Sequence, residues 1–268
     1  MALSSLDLLN TDLLDIWVPW AFAIGINSLL LLVAWLVPKK LLTPAGLVHA
    51  WILGIILWGT LGWRGYGVMM FYFLVGSAVT RIGMAEKEAA GIAEKRSGAR
   101  GPENVWGSAF VGTLCAIGTY FALSIGGLSG ALIASFLLLG YVASISTKLA
   151  DTCASEVGKA YGKRTFLITT LQPVERGTEG AVSLEGTGAG LLGAAAIATL
   201  GWGLGLITSL DIAVCVVAAF IATNLESVIG ATLQAKVSWM TNEVVNVINT
   251  FLGAILSILL AISLQMVL

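Results

Sequence analysis

The sequence predicts an all-α polytopic bundle of about eight membrane spans, with both termini on the non-cytoplasmic side. Three observations predict it. The chain of 268 residues is 57% hydrophobic and only 11% charged, whereas a soluble domain carries about 25% charged residues. Several apolar runs approach the roughly 20 residues that cross a bilayer as a helix. The 32 glycines would weaken soluble helices but let membrane helices pack closely.

The elements follow in order. The N-terminus, MALSSLDLLNTDLLDIW, holds Asp7, Asp12 and Asp15 but no Lys or Arg. A signal peptide needs a basic n-region, so the first span is expected to be retained. Spans are expected at 17–37, 46–62, 65–80, 105–123, 130–147, 183–203, 210–230 and 247–268, with Arg64 in the tight turn between the second and third. Two polar segments are long, 81–104 and 148–182, and 231–246 is intermediate. The whole of 1–268 reads as one integral membrane domain. With Lys39 and Lys40 in the cytoplasm, alternation places thirteen of the fourteen Lys and Arg residues there, Arg64 excepted. The reverse orientation would export those thirteen, against the positive-inside rule. Most carboxylates fall on the same side, which that rule does not require. Cys115, Cys153 and Cys215 lack metal-ligand spacing and read as reduced structural thiols. No basic arm or groove marks a nucleic-acid partner, and none is expected.

The richest stretch is KLADTCASEVGKAYG, Lys148 to Gly162. On a helix, Asp151, Ser155, Gly158 and Gly162 form one stripe, and Thr152, Glu156 and Lys159 a second. Carboxylates at the mouth of a bundle suit Mg²⁺, which takes oxygen ligands. Lys148, Lys159, Lys163 and Arg164 suit phosphates. The bland alternative is a solvated helix end with the ion pairs Lys148–Asp151 and Glu156–Lys159. The turn PVERGTEG (173–180) brings backbone N–H groups to the start of the sixth span, where an anion could bind; an ordinary loop is its competing reading. Glu226, near the end of the seventh span, is a functional candidate because an ionisable group inside a span is costly. Thr223 and Gly230 share its face, and Asn224 and Ser227 share another. Asn242, Asn246 and Asn249 form a polar stripe beside Glu243, and three amides on an apolar helix need partners. Arg96, Arg100, Glu103 and Asn104 stand at the start of the fourth span, where Pro102 and Glu103 also fit plain helix-start chemistry. Asn27 reads as an interhelical hydrogen-bond donor or acceptor. The G-x-G-x-x-G match at Gly188–Gly193 lies inside a span with no preceding strand, so it is read as helix packing. His49 is read as structural or interfacial.

DTCASEVGKAYGKR, followed by PVERGTEGAVSLEGTGAG, resembles the signature of the phytyl-phosphate kinase family of photosynthetic organisms and their relatives. EKRSGARGPENVWGSA, ESVIGATLQ and TNEVVNVINT resemble it too, so the likeness spans about 91–250. A more distant likeness is to the CTP-dependent polyprenol kinases. Asp151, Ala154, Val157, Gly158 and Lys159 fit their D-x-x-A-x-x-[VI]-G-[RK] stretch. Gly177 and Thr178 fit a Gly-Ser turn. Glu226 with Ser227, then Asn242 and Asn246, fit the later Glu and Asn helix. Those kinases place Gly before the key Asp; here Ala150 stands there.

The resemblance implies an integral membrane phosphotransferase. It would move a phosphoryl group from a nucleoside triphosphate, with CTP as the expected donor, to phytyl monophosphate, giving phytyl diphosphate for tocopherol and phylloquinone synthesis. Asp151, Glu156, Lys159 and Glu226 are the expected catalytic residues. Lys148, Ser155, Gly158, Lys163, Arg100, Gly177, Thr178, Glu179 and Asn104 are expected to bind nucleotide or phosphate. Asp151, Glu226, Asn242 and Asn246 are expected to hold Mg²⁺. The expected partners are a prenyl phosphate, the nucleotide and the bilayer, with self-association as a further candidate. The expected location is a cell inner or thylakoid membrane, or a chloroplast envelope in a plant, with the active face cytoplasmic or stromal. A transporter or lipid carrier, and a CTP-dependent cytidylyltransferase, are the competing functions.

Overall fold

A computed structural model describes residues 5–37, 40–234 and 236–267, with side chains from residue 17 onward except at 95, 97, 265 and 267. Lys39, used in the topology reading, and the side chains of Asp7, Asp12 and Asp15 lie outside the described residues. The helices are α1 (Ser5–Leu36), α2 (Pro44–Thr80), the short α3 (Met84–Ala89), α4 (Pro102–Ile125), α5 (Gly127–Tyr161), α6 (Leu184–Gly203), α7 (Ser209–Ile229) and α8 (Asn242–Val267). Two-residue strands, β1 (Phe166–Leu167) and β2 (Ala181–Val182), pair antiparallel between α5 and α6. This ladder is a small departure from an all-helical chain, and the sequence gives no alternating run to signal it.

Seven helices are long and apolar enough to cross a membrane. Among the described residues these give eight candidate crossing segments, because α2 is two helices joined at Gly62. There the backbone has φ 64° and ψ −165°, a conformation essentially confined to glycine. The chain doubles back at this point. The rings of Trp58 and Tyr66 have centroids 5.1 Å apart, although eight residues of straight helix would rise roughly 12 Å. Gly46 and Gly76, near the two ends of α2, both come against Arg100. The expected spans 46–62 and 65–80 are therefore both present.

One boundary shifts: helix α1 starts at Ser5, ahead of the expected span at 17. Helix α5 continues past its span to Tyr161 and α8 begins at Asn242, in keeping with the helical stripes read at 148–162 and at Asn242–Asn249. Hydropathy marks the apolar part of a helix, and a helix continues beyond it wherever its polar end finds partners.

Helix α5 is the centre of the bundle, packed on α2, α4, α6, α7 and α8. Residues 139–153 are buried without interruption, as expected of a helix enclosed on all sides. Its hydroxyls return to its own carbonyls: Ser144 to Tyr141 O at 2.7 Å, Thr147 to Ala143 O at 2.8 Å and Thr152 to Lys148 O at 2.9 Å. This satisfies polar groups where water is excluded. Small residues let α6 approach closely. A Cβ on Gly190 would lie 3.0 Å from Ala150 O, and one on Gly193 3.0 Å from Cys153 Sγ. The G-x-G-x-x-G run is thus a packing surface, as expected.

Other structural expectations hold. Asn27 accepts from Tyr66 Oη at 3.0 Å and donates to Ala23 O at 2.9 Å. His49 Nδ1 accepts from Trp106 Nε1 at 2.9 Å. The three cysteines are free and buried.

Candidate functional site

The long loops and the polar ends of α5, α7 and α8 meet at one end of the bundle, around a cavity of about 830 Å³. Arg64 lies at the opposite end, beside the turn at Gly205. At 1.5 Å per residue, Lys148 stands roughly 31 Å above Gly127 at the far end of α5, and Glu226 roughly 26 Å above Ser209. A hydrocarbon core is about 30 Å thick. The charged residues therefore sit at one membrane boundary rather than at the midplane.

All but one of the expected site residues line this cavity: Arg100 and Asn104 from the start of α4; Lys148, Asp151, Ser155, Glu156, Gly158 and Lys159 from α5; Gly177, Thr178 and Glu179 from the turn; Glu226 from α7; Asn242 and Asn246 from α8. Lys163 is the exception. It lies beyond the C-terminus of α5, in a separate shallow hollow with Arg176, because the helix ends at Gly162 and the chain turns outward. Asn249 also falls outside the cavity wall. It is fully buried, and neither amide atom has a partner among the described residues.

Lys148 is the hub. Its Nζ lies 2.6 Å from Asp151 Oδ2 and 2.7 Å from Asn246 Oδ1, tying α5 to α8. Both ion pairs of the bland reading exist, with Lys159 Nζ 3.7 Å from Glu156 Oε1. They are not on a solvated helix end, however, because Lys148, Asp151 and Glu156 are buried. Burying charge costs several kcal/mol per ion, so such pairs are weak devices for stability. They stand instead on the cavity wall.

The sequence reading missed Lys87. On α3 in the first long loop, it is 1% exposed, pairs with Glu156 and donates to Thr80 O at 2.8 Å. One lysine in the charge-rich run MAEKEAAGIAEKR carries no local mark of burial; tertiary packing alone selects it. The pair ties the first long loop to α5 at Glu156, which also lines the cavity. Tyr72 was missed as well. Its hydroxyl accepts from Arg100 Nη1 at 3.1 Å, and the guanidinium lies over its ring. Arg100 makes no ion pair among the described residues. Arg96 instead pairs with Glu103 and donates to Asn104 Oδ1 at 3.0 Å, which also accepts from Gly101 N at 3.0 Å as a helix cap.

The turn 173–180 closes over the cavity from the side of α7. Gly177 and Gly180 have φ 85° and 77°, and a Cβ on Gly180 would meet the backbone of α7 at Ser227. Glu179 comes beside Gly230 and, with Asp151, Lys148 and Lys159, lies within electrostatic reach of Glu226. Seven carboxylates (Glu94, Glu103, Asp151, Glu156, Glu179, Glu226, Glu243) face four cations (Arg96, Arg100, Lys148, Lys159) on the wall. Among the described residues no three His, Cys, Asp or Glu side chains form a ready metal cage.

The fold and this chamber define a class: a polytopic helical membrane protein with a mixed-charge cavity at one membrane boundary. The chain belongs to the family described as integral membrane protein DUF92, which matches residues 27–254. It is 63% identical over 254 residues to an uncharacterized membrane protein of Synechocystis sp., covering 93% of this chain and 96% of that one. It is 45% identical over 243 residues to Protein VTE6, chloroplastic, of Arabidopsis thaliana, covering 90% and 72%. An uncharacterized membrane protein of Methanocaldococcus jannaschii is 34% identical over 223 residues, covering 83% and 87%. The family resemblance read from the motifs is borne out. No solved structure matches the chain.

Proposed function

We propose that this protein is a membrane prenyl-phosphate kinase. It transfers the terminal phosphoryl group of a nucleoside triphosphate, CTP being the expected donor, to phytyl monophosphate. The products are phytyl diphosphate, for tocopherol and phylloquinone synthesis, and a nucleoside diphosphate. The observation that carries this reading is the convergence of Asp151, Glu226, Lys148, Lys159 and Arg100 on one cavity at the membrane boundary. The motif resemblance supplies the substrate.

The excess of carboxylates argues for a divalent cation. Two phosphorylated substrates would be repelled by this wall unless a cation entered with them. Mg²⁺ is commonly held by one or two carboxylates together with substrate phosphates, so Asp151 and Glu226 would be its main ligands. The amide oxygens of Asn242 and Asn246, now hydrogen-bonded to Gln234 and Lys148, would have to be released or shared to join them. Bound there, it would neutralise charge developing on the transferred group. Lys159 and Arg100 bind phosphate oxygens, and Lys148 holds Asp151 in place. The acceptor is already an anion, so no strong base is required; the chain acts by positioning and charge neutralisation. By the positive-inside rule the cavity face is cytoplasmic, or stromal in a chloroplast.

The test is purified protein with phytyl phosphate, Mg²⁺ and CTP. Asp151→Asn and Glu226→Gln should each slow turnover about 10²-fold or more, by analogy with loss of a transition-state contact. Full turnover in both variants contradicts the assignment. A cytidylyltransferase would instead release pyrophosphate, and a carrier would move lipid without nucleotide.

A further inference from the structure

The cavity is longer than a phosphate site needs. From the charged chamber it runs down between α6 and α7, lined by Gly190, Leu191 and Ala194 on one side and by Phe220, Thr223 and Ser227 on the other. At 1.5 Å per residue the lining covers roughly 12 Å of α6, from Gly186 to Ala194, and roughly 10 Å of α7, from Phe220 to Ser227. It passes from the level of Glu226 into the level of the hydrocarbon core. The wall of α6 is a run of small side chains, while the lining residues Leu191 and Phe220 are 38% and 44% exposed. One cavity thus joins a charged chamber to a more apolar arm, a slot between α6 and α7, whose lining includes the partly exposed Leu191 and Phe220. Thr223 lies between the two levels, and its buried hydroxyl has no partner among the described residues.

We propose that this slot is the binding path for the chain of a prenyl phosphate, which enters sideways from the bilayer between α6 and α7 past Leu191 and Phe220. The proposal rests on the kinase reading for its ligand, because a phosphate head with one branched apolar chain matches a charged chamber with one narrow apolar arm. Burying each CH₂ of the chain contributes about 0.8 kcal/mol relative to water, so a short acceptor loses most of this contribution. Leu191 and Phe220 are specificity-determining rather than catalytic: they touch the chain, and the chemistry occurs in the chamber above.

The test separates chain binding from turnover. Equilibrium binding of phytyl phosphate to the purified full chain is measured without nucleotide, for wild type and for Leu191→Trp and Phe220→Trp, which narrow the slot. Leu192→Trp is the control: Leu192 is 74% exposed, on the same helix, and is not part of the cavity wall. The slot predicts at least a ten-fold weaker affinity in both narrowing variants and none in the control. If a tryptophan variant fails to fold, Leu191→Ala and Phe220→Ala serve, with a shift in preference toward longer or bulkier chains expected. Unchanged affinity and chain preference in folded variants, or an equal loss in the control, overturns the slot. Adding nucleotide tests the kinase reading by itself: slot-dependent binding without phosphoryl transfer leaves the slot standing and removes the kinase.

Discussion

At the scale of single residues, the buried pair of Lys87 and Glu156 makes a sharp demand. Truncating one partner leaves an uncompensated charge inside the bundle, and Lys87→Met should destabilise the protein by about 3–5 kcal/mol. Adding Glu156→Leu should restore most of that loss, since removing both charges from a buried pair is often neutral. Thermal unfolding of the single and double variants in detergent checks this, and a double variant no more stable than the single one would show that the pair is not coupled. Asp151 and Glu226 were legible in the sequence because each is an acid in an apolar or motif-bearing context. Lys87 was not, since its burial depends on where α3 docks. Lys163 shows the converse error: it follows Lys159 closely in sequence, but the helix ends at Gly162, so the two lysines face different hollows.

At the scale of elements, apolar run length located the candidate spans, the stripes of polar residues located the extensions of α5 and α8, and only the early start of α1 escaped both. Helix α5 carries its charged residues another turn and more past its apolar part, and there the site is built. Helix α2 shows what one glycine does. A Cβ at Gly62 would meet nothing within 4 Å, so space is open and only the backbone conformation resists substitution. Gly62→Ala should cost about 1–3 kcal/mol. Gly188→Ala, equally uncrowded but inside α6 with no positive φ, should be neutral or slightly stabilising. Paired unfolding measurements test the contrast; equal effects at both positions would mean that the turn at Gly62 is not glycine-dependent. The two-residue ladder of β1 and β2 was not readable, because a strand pair this short leaves no periodicity.

At the scale of the whole molecule, charge is distributed to one end. Insertion alone would explain lysines and arginines on a single face, but not the carboxylates, the amide stripe and the turn that surround the same cavity. The substrate class comes from the family resemblance, while the chamber's place at one end of the bundle comes from packing that the sequence only implied. The central claim is phosphoryl transfer to a membrane-held phosphate, and following the phosphorus tests it most directly. With CTP labelled at its terminal phosphate, phytyl phosphate and Mg²⁺, the account predicts label in the outer phosphate of phytyl diphosphate, release of CDP, and loss of transfer when EDTA removes the metal. Label released as pyrophosphate, or no label reaching the lipid with any nucleoside triphosphate, would contradict it.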